Sequence, residues 1–170
     1  MAYIFVTTQN GLYRYFINDI VHVTGKYNNT PTIRFVQKGN GVVSLTGEKL
    51  YEDQINKAVL SLLKKNNLNV DFYIMVAFHK EFRYRLFIEK PFNPTYSRDL
   101  EDEIFGLNIE YKEKRKSGRL HPLEIVCVNN DIAEEFKQYN LKKGQREGQF
   151  KFIRLINDQN CDFNFFKFRI

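Results

Sequence analysis

The hydrophobic pattern of the sequence changes near residue 51, and this change constrains the fold more than any other feature. Residues 3 to 48 contain five short runs rich in Val, Ile, Thr, Phe and Tyr, with turn-forming clusters between them and no helical period. From residue 51 onward, helical and strand-like segments are mixed. The sequence therefore predicts an α+β protein, in which a short β meander precedes a small mixed α/β domain.

The first part predicts strands in the runs YIFVTT, LYRYFI, IVHVTG, TIRFVQ and VVSLTG. A single carboxylate, Asp19, falls in the turn predicted between the second and third of these runs. Asp is common in turns, so one interpretation of Asp19 is structural. The other is functional, because a carboxylate fixed by strands can accept two hydrogen bonds from a vicinal diol such as a ribose.

The second part opens with the most regular pattern in the chain, a predicted helix within residues 51 to 67. Acidic residues occupy its first turn and lysines its last, as the helix dipole favours. Its apolar residues recur at helical spacing: Ile55, Ala58, Val59, Leu62 and Leu63.

The remaining segments predict further strands and helices. Two strands, VDFYIMVAF and RYRLFIEKPF, are joined by an HKE turn and end at Pro91 and Pro94. A helix capped by Ser97, with Leu100, Ile104 and Leu107 on one face, breaks near Gly106 and resumes to Gly118. The last predicted elements are a strand in LEIVCV, a helix in NDIAEEFKQYN, and strand-like runs in QFKFIRLI and NFFKFRI.

Charge and composition limit the class of protein without selecting a partner. The net charge is +6 and the isoelectric point about 9.2, which favours anionic partners such as nucleic acids or phosphate-bearing small molecules. No apolar stretch approaches the ~18 residues of a membrane span, and no leader peptide is recognisable, so we expect no membrane and a cytoplasmic location. Cys127 and Cys161 lack metal-type spacing, so no metal site is predicted.

Two basic segments have both a structural and a functional interpretation. Lys151 lies between two phenylalanines in KKGQREGQFKFIRL, where it is either a solvated surface lysine or a functional cation. The run KEKRKSGR, residues 112 to 119, fits a solvated helix end or a nucleic-acid contact.

Four segments occur in a fixed order that resembles a known family: GLYRYFINDIVHVTG, TIRFVQKGNGVVSLTGEKL, EYKEKRKSGRLHPLEIV and GQFKFIRL. The order is similar to the C-terminal third of the auxin-responsive Gretchen Hagen three family of acyl-acid amido synthetases, which belong to the adenylate-forming superfamily. The resemblance implies activation of a carboxylic acid with ATP and Mg²⁺, then transfer of the acyl group to an amino acid. It also implies three parts: residues 1–48 as the last β subdomain of a large domain, 49–53 as a hinge, and 54–170 as the small mobile domain.

The resemblance also implies roles for individual residues. Asp19 matches the aspartate that holds the ribose hydroxyls of ATP, and Lys49 matches a lysine near the hinge that approaches the nucleotide. Lys38 stands where wider superfamily members place an arginine near the ribose. Lys151 matches the mobile catalytic lysine that stabilises charge on the phosphates when the small domain closes. Asn18 stands where the family usually has a glycine before the aspartate.

The sequence contains no Ser/Thr/Gly-rich loop that could hold the ATP phosphates. We therefore expect the acid and amino acid substrates, and most of the ATP with its Mg²⁺, to bind in a large domain outside this chain, and the isolated chain to be inactive. One alternative is a nucleic-acid-binding α+β module, although nucleic acid is not favoured, because RYRLFIEK lacks the glycine-aromatic pattern of an RNA-reading strand and the β meander would be unexplained. Another is a standalone non-catalytic relative that acts in protein contacts. Exposed β edges could support self-association.

Overall fold

The computed structural model describes residues 2–90 and 92–170, without the side chains of Gln37, Lys38, Asn40 and Gln149. The predicted strand end at Pro91 lies outside this range. The chain divides into two compact units, with the division between Gly41 and Val42. Together the two units confirm the predicted α+β class, with a β meander followed by a mixed α/β unit.

The first unit is a three-stranded antiparallel sheet. Its strands are β1 (Ala2–Val6), β2 (Tyr15–Tyr27) and β3 (Thr30–Lys38), in the order β1-β2-β3. The turn predicted at Asn18-Asp19 is wrong, because β2 continues through both residues. Asn18 has a φ of 62°, and the β1–β2 register shifts nearby, so an irregular pairing absorbs this residue within the strand.

The second unit is built on a four-stranded mixed sheet. A short hairpin of β4 (Val42–Val43) and β5 (Leu50–Tyr51) comes first. The main strands follow in the order β8-β7-β6-β9, where β6 and β7 are antiparallel and the two outer pairs are parallel. These strands are β6 (Tyr73–Phe78), β7 (Arg83–Glu89), β8 (Glu124–Val128) and β9 (Leu155–Asn157).

Four helices belong to the second unit: α1 (Glu52–Lys65), α2 (Ser97–Leu107), α3 (Ile109–Lys116) and α4 (Asp131–Lys142). The periodicity of α1 is confirmed, because all five of its predicted apolar residues are buried. They join β6 and β7 residues in one core cluster, while Ile132 and Phe136 of α4 belong to a second cluster with aromatic side chains from the C-terminal segment. No helix in the described residues is long and apolar enough to cross a membrane.

Several predicted element boundaries are wrong for local reasons. The helical break lies at Asn108 and not at Gly106, because Asn108 is extended and its side chain accepts a hydrogen bond from the Tyr111 amide at 2.9 Å. Ser97 is the first residue of α2 and not its cap, and Leu107 is 40% exposed. In NFFKFRI, Phe165–Phe168 form a 3₁₀ helix, since the rings of Phe165 and Phe168 fill the second core cluster.

Residues 42–51 pack within the second unit, although the sequence assigned most of them to the first part. Val43 and Leu50 are buried in the core cluster that contains α1, and Glu48 is completely buried beside Tyr84. These contacts explain why the compact units separate before Val42. The hinge at residues 49–53 stays a prediction.

Candidate functional site

Asp19 is a half-buried residue of β2 in the first unit, directly opposite Lys38 of β3 in the antiparallel register. The structure therefore brings together the backbones of two predicted nucleotide-binding residues; the side chain of Lys38 lies outside the described residues. Asn18 adopts a left-handed conformation that glycine accepts most readily and Asn tolerates. A Cβ atom on Gly39 would collide with Asn18 Oδ1, so any residue other than glycine at position 39 would require the Asn18 side chain to move.

Lys49 is exposed, but its backbone is held firmly in the second unit. Its amide donates to Glu110 Oε2 at 3.3 Å, and its carbonyl accepts from Asn108 Nδ2 at 2.9 Å. Both partners lie at the junction of α2 and α3. A fixed backbone with an exposed side chain suits a cation that must reach a ligand.

Glu48, which no motif in the sequence marks, organises the loop that carries Lys49. Its carboxylate is completely buried and accepts hydrogen bonds from the Leu45 amide at 2.8 Å, from the Thr46 amide at 2.9 Å and from Thr46 Oγ1 at 2.7 Å. The Tyr84 hydroxyl donates the fourth bond. Burial alone would raise the pKa of Glu48, but the bonds from Tyr84, Leu45 and Thr46 outweigh it and lower the pKa.

A second buried carboxylate, Glu101, extends this polar core. It accepts from Tyr111 Oη at 3.1 Å and from the Leu123 amide at 3.1 Å, and it forms an ion pair with Arg115. Burial, and then the negative charge of Glu101, raise the pKa of Tyr111. Because these partners come from α2, α3 and the segment before β8, the network ties those elements together behind the Lys49 loop.

Lys151 is exposed and lies in a segment without regular secondary structure. Its neighbour Phe152 packs on the second core cluster, with ring centroids 5.6 Å from Phe72 and 6.5 Å from Phe136. Phe150, on the other side, contacts Phe152 at 4.8 Å. The aromatic neighbours thus anchor the segment, while Lys151 remains accessible to solvent.

The segments that carry Lys49 and Lys151 meet within the second unit. Glu52 opens α1 three positions after Lys49, and its Oε1 accepts a hydrogen bond from the Arg154 amide at 2.8 Å. Arg154 in turn follows Lys151 by three positions. The structure therefore joins the chain segments of these two predicted site residues, whereas Asp19 and Lys38 belong to the first unit.

A metal ion would need acidic, histidine or cysteine side chains grouped around one point. Within residues 2–90 and 92–170, no group of three such side chains is arranged to hold a metal ion. The buried carboxylates Glu48 and Glu101 are already surrounded by protein donors.

Two family models match the chain in sequence order. The GH3 family central domain matches residues 2–38, and the GH3 family C-terminal domain matches residues 53–160. The second match covers more than half of the chain and nearly all of α1 through β9.

Individual relatives agree with the family models. The chain is 29% identical over 167 residues to the indole-3-acetic acid-amido synthetase GH3.4 of Arabidopsis thaliana. The aligned region covers 89% of this chain and 28% of that protein. It is 30% identical to the Arabidopsis thaliana 4-substituted benzoates-glutamate ligase GH3.12, over 89% of this chain and 30% of the relative. The solved GH3.15 acyl acid amido synthetase superposes with a TM-score of 0.72 at 28% identity, over 91% of this chain and 31% of that one. The chain thus spans less than a third of each of these relatives.

Proposed function

The chain belongs to the GH3 family, and we propose that it supplies the C-terminal part of an ATP-dependent acyl-acid amido synthetase. The enzyme would adenylate a carboxylic acid and then pass the acyl group to an amino acid, in the cytoplasm. The observation that carries this proposal is the placement of Lys151. It is an exposed cation on a segment fixed by Phe152 and Arg154, within the region that matches the family's C-terminal domain.

Each predicted site residue has a role that its chemistry supports. The Asp19 carboxylate accepts two hydrogen bonds from the ribose hydroxyls, and Lys38 adds a positive charge near the same end of the first unit. Lys151 neutralises charge that develops on the α-phosphate as the substrate carboxylate attacks, and Lys49 contributes a second cation to the nucleotide. The phosphates bring Mg²⁺ with them, since this ion is usually held by phosphates and water together with one or two carboxylates.

The remaining parts of the reaction require residues that this chain does not contain. The sequence has no Ser/Thr/Gly-rich phosphate loop, and it spans 28% of the relative GH3.4. We propose that the acid, the amino acid and the ATP phosphates bind mainly to protein beyond these residues. The isolated chain would then not complete adenylation.

The nucleic-acid alternative has weaker support from side-chain exposure. Most of the aromatic residues that would stack on bases are buried, among them Phe72 just before β6, Tyr73 of β6 and Phe87 of β7. In the basic run of α3, Arg115 is committed to the buried Glu101. Strong salt-dependent binding of an oligonucleotide would favour this alternative over the ligase proposal.

ATP–pyrophosphate exchange by the full-length native protein tests the proposal, with a panel of carboxylic acids as substrates. Lys151→Ala should lower kcat about 100- to 1,000-fold, as removal of a transition-state charge partner does in other enzymes. Lys142→Ala is the matched control, because this lysine is also exposed. Equal losses in both variants, or a wild-type protein that adenylates none of the acids, would contradict the proposal.

The proposed ribose contact of Asp19 needs a separate experiment. Asp19→Asn should raise KM for ATP about 10- to 100-fold, since a hydrogen bond to a charged group contributes about 1.5–3 kcal/mol. With 2′-deoxy-ATP and 3′-deoxy-ATP the same substitution should have a smaller effect, because one of the hydroxyl partners is already gone. An identical loss with all three nucleotides would show that Asp19 does not bind the ribose.

A further inference from the structure

The segment around Lys151 lacks the hydrogen bonds of regular secondary structure. It lies between a 3₁₀ helix at Glu147–Gln149 and the first residue of β9, Leu155. A long lysine side chain on an irregular segment can occupy many rotamers. A catalytic role therefore requires other contacts that fix the backbone from which Lys151 projects.

The backbone of Arg154 is held from two sides. Its carbonyl accepts from the Met75 amide of β6 at 2.8 Å, which continues the pairing of β6 with β9. Its amide donates to Glu52 Oε1 at 2.8 Å. Glu52 is the first residue of α1 and lies 102 residues earlier in the chain, so this bond ties the Lys151 segment to the start of α1.

The side chain of Arg154 strengthens the same attachment. Its Nη1 donates to the Tyr73 carbonyl at 2.8 Å and its Nη2 to the Asp71 carbonyl at 3.4 Å. The guanidinium lies 4.4 Å from the centroid of the Tyr73 ring. Burial lowers the pKa of Arg154, while Tyr73 and then Glu52 oppose that effect. Glu52 thus accepts a hydrogen bond from the Arg154 amide, and its negative charge also offsets the desolvation cost of the partly buried guanidinium.

We propose that Glu52 is a positioning residue for Lys151, which acts through Arg154 to fix the catalytic lysine relative to the start of α1. This inference rests on the proposed adenylation function. Glu52 does not touch the substrate in this role. It limits the positions of the Lys151 backbone, and displacement of a reacting group by about 1 Å can cost about 100-fold in rate.

The neighbouring Asp53 offers a matched control. It also lies in the first turn of α1 and carries the same charge, so both residues interact with the helix dipole. Asp53 forms an exposed ion pair with Lys57 at 2.7 Å, whereas Glu52 accepts the Arg154 amide. A loss of kcat from substitution of Glu52 that exceeds the loss from the same substitution of Asp53 therefore goes beyond the helix-dipole interaction, which the two residues share.

The test is a double-mutant cycle in the full-length native protein, with ATP–pyrophosphate exchange as the assay. Glu52→Ala should lower kcat about 10- to 100-fold with little change in KM for ATP, because the lost positioning matters in the transition state. Glu52→Gln keeps an acceptor oxygen and should recover part of the loss. Asp53→Ala, the same substitution at the next position, should remain within about 2-fold of the wild type.

The decisive comparison uses the Lys151→Ala background. There Glu52→Ala should have little further effect, because the lysine that it positions is gone. Hydrogen exchange should also show that the Arg154 amide exchanges faster in Glu52→Ala than in Asp53→Ala. An equal loss of kcat in both backgrounds, or an Arg154 amide unaffected by Glu52→Ala, would overturn the positioning role. A wild-type protein without exchange activity would instead overturn the proposed function, and with it the catalytic role of Lys151.

Discussion

Replacement of Glu48 by Gln removes one buried negative charge with almost no change in side-chain volume. The two carboxylate oxygens accept four bonds, from the amides of Leu45 and Thr46 and the hydroxyls of Thr46 and Tyr84. Each oxygen accepts a hydrogen bond from one backbone amide. In either orientation of the Gln side chain, its NH₂ group must therefore face one of these two backbone N–H groups. A hydroxyl can rotate to accept, but a backbone N–H cannot.

The expected loss follows from that geometry. An unsatisfied buried amide costs about 1–3 kcal/mol, and the remaining bonds weaken because their acceptor is no longer charged. We expect Glu48→Gln to lower the free energy of unfolding by about 2–4 kcal/mol at pH 7. The control Glu113→Gln removes a charge from an exposed ion pair with Lys116 and should change stability by less than about 0.5 kcal/mol.

The pH dependence provides an independent check. The pKa of Glu48 is lower in the folded protein than its ordinary value, so its contribution is complete above the unfolded pKa and is lost as the pH falls through the folded pKa. The difference in the free energy of unfolding between the wild type and Glu48→Gln should therefore become smaller below about pH 4. Urea unfolding can be followed by circular dichroism and tyrosine fluorescence, since the chain has ten Tyr and no Trp. A difference below about 0.5 kcal/mol at pH 7, or one that is constant with pH, would refute this account of the buried carboxylate.

Two further predictions concern the second unit. The pKa of the Asp162 carboxyl is lowered to about 2 by Lys143 and then by the Tyr139 hydroxyl. Tyr139→Phe should raise this pKa toward its ordinary value, as measured by NMR titration. An unchanged titration midpoint would contradict the contact between Tyr139 and Asp162. Gly47 has a φ of +102°, so Gly47→Ala should destabilise the protein by about 1–3 kcal/mol in urea unfolding. Gly148→Ala is the control, because its added Cβ would meet open space; equal stability of the two variants would contradict the strain argument.

The parts of the fold that follow from local patterns were predicted well. The α1 helix has apolar residues at helical spacing, acids in its first turn and lysines in its last, so several local signals agree. The turn at Asn18-Asp19 was wrong because Asn favours turns, yet a left-handed Asn can also be absorbed within a strand. The alternating phenylalanines of NFFKFRI indicated a strand, but a 3₁₀ helix places Phe165 and Phe168 in the core.

The candidate site shows the same difference between residues that a sequence motif marks and residues whose partners are distant in sequence. Asp19 and Lys151 were singled out by family resemblance, because neither a lone carboxylate among strands nor a lysine between two phenylalanines specifies chemistry by itself. Glu48 and Glu52 were missed because their partners are distant in sequence: Tyr84 lies 36 residues from Glu48, and Arg154 lies 102 residues from Glu52. No periodicity within a single element reports such a pair.

The two missed carboxylates each hold the backbone near one of the two lysines to which the resemblance gives a role. Glu48 precedes Lys49 and fixes its loop through buried bonds, and Glu52 holds the backbone three residues after Lys151. Both lysines are exposed, so their own contacts cannot determine where their charges point. The buried or half-buried acids beside them have fixed geometry and accept backbone amides. If the lysines act on a nucleotide, substitutions at these acids should therefore change the rate of adenylation while every proposed ligand-binding side chain is still present.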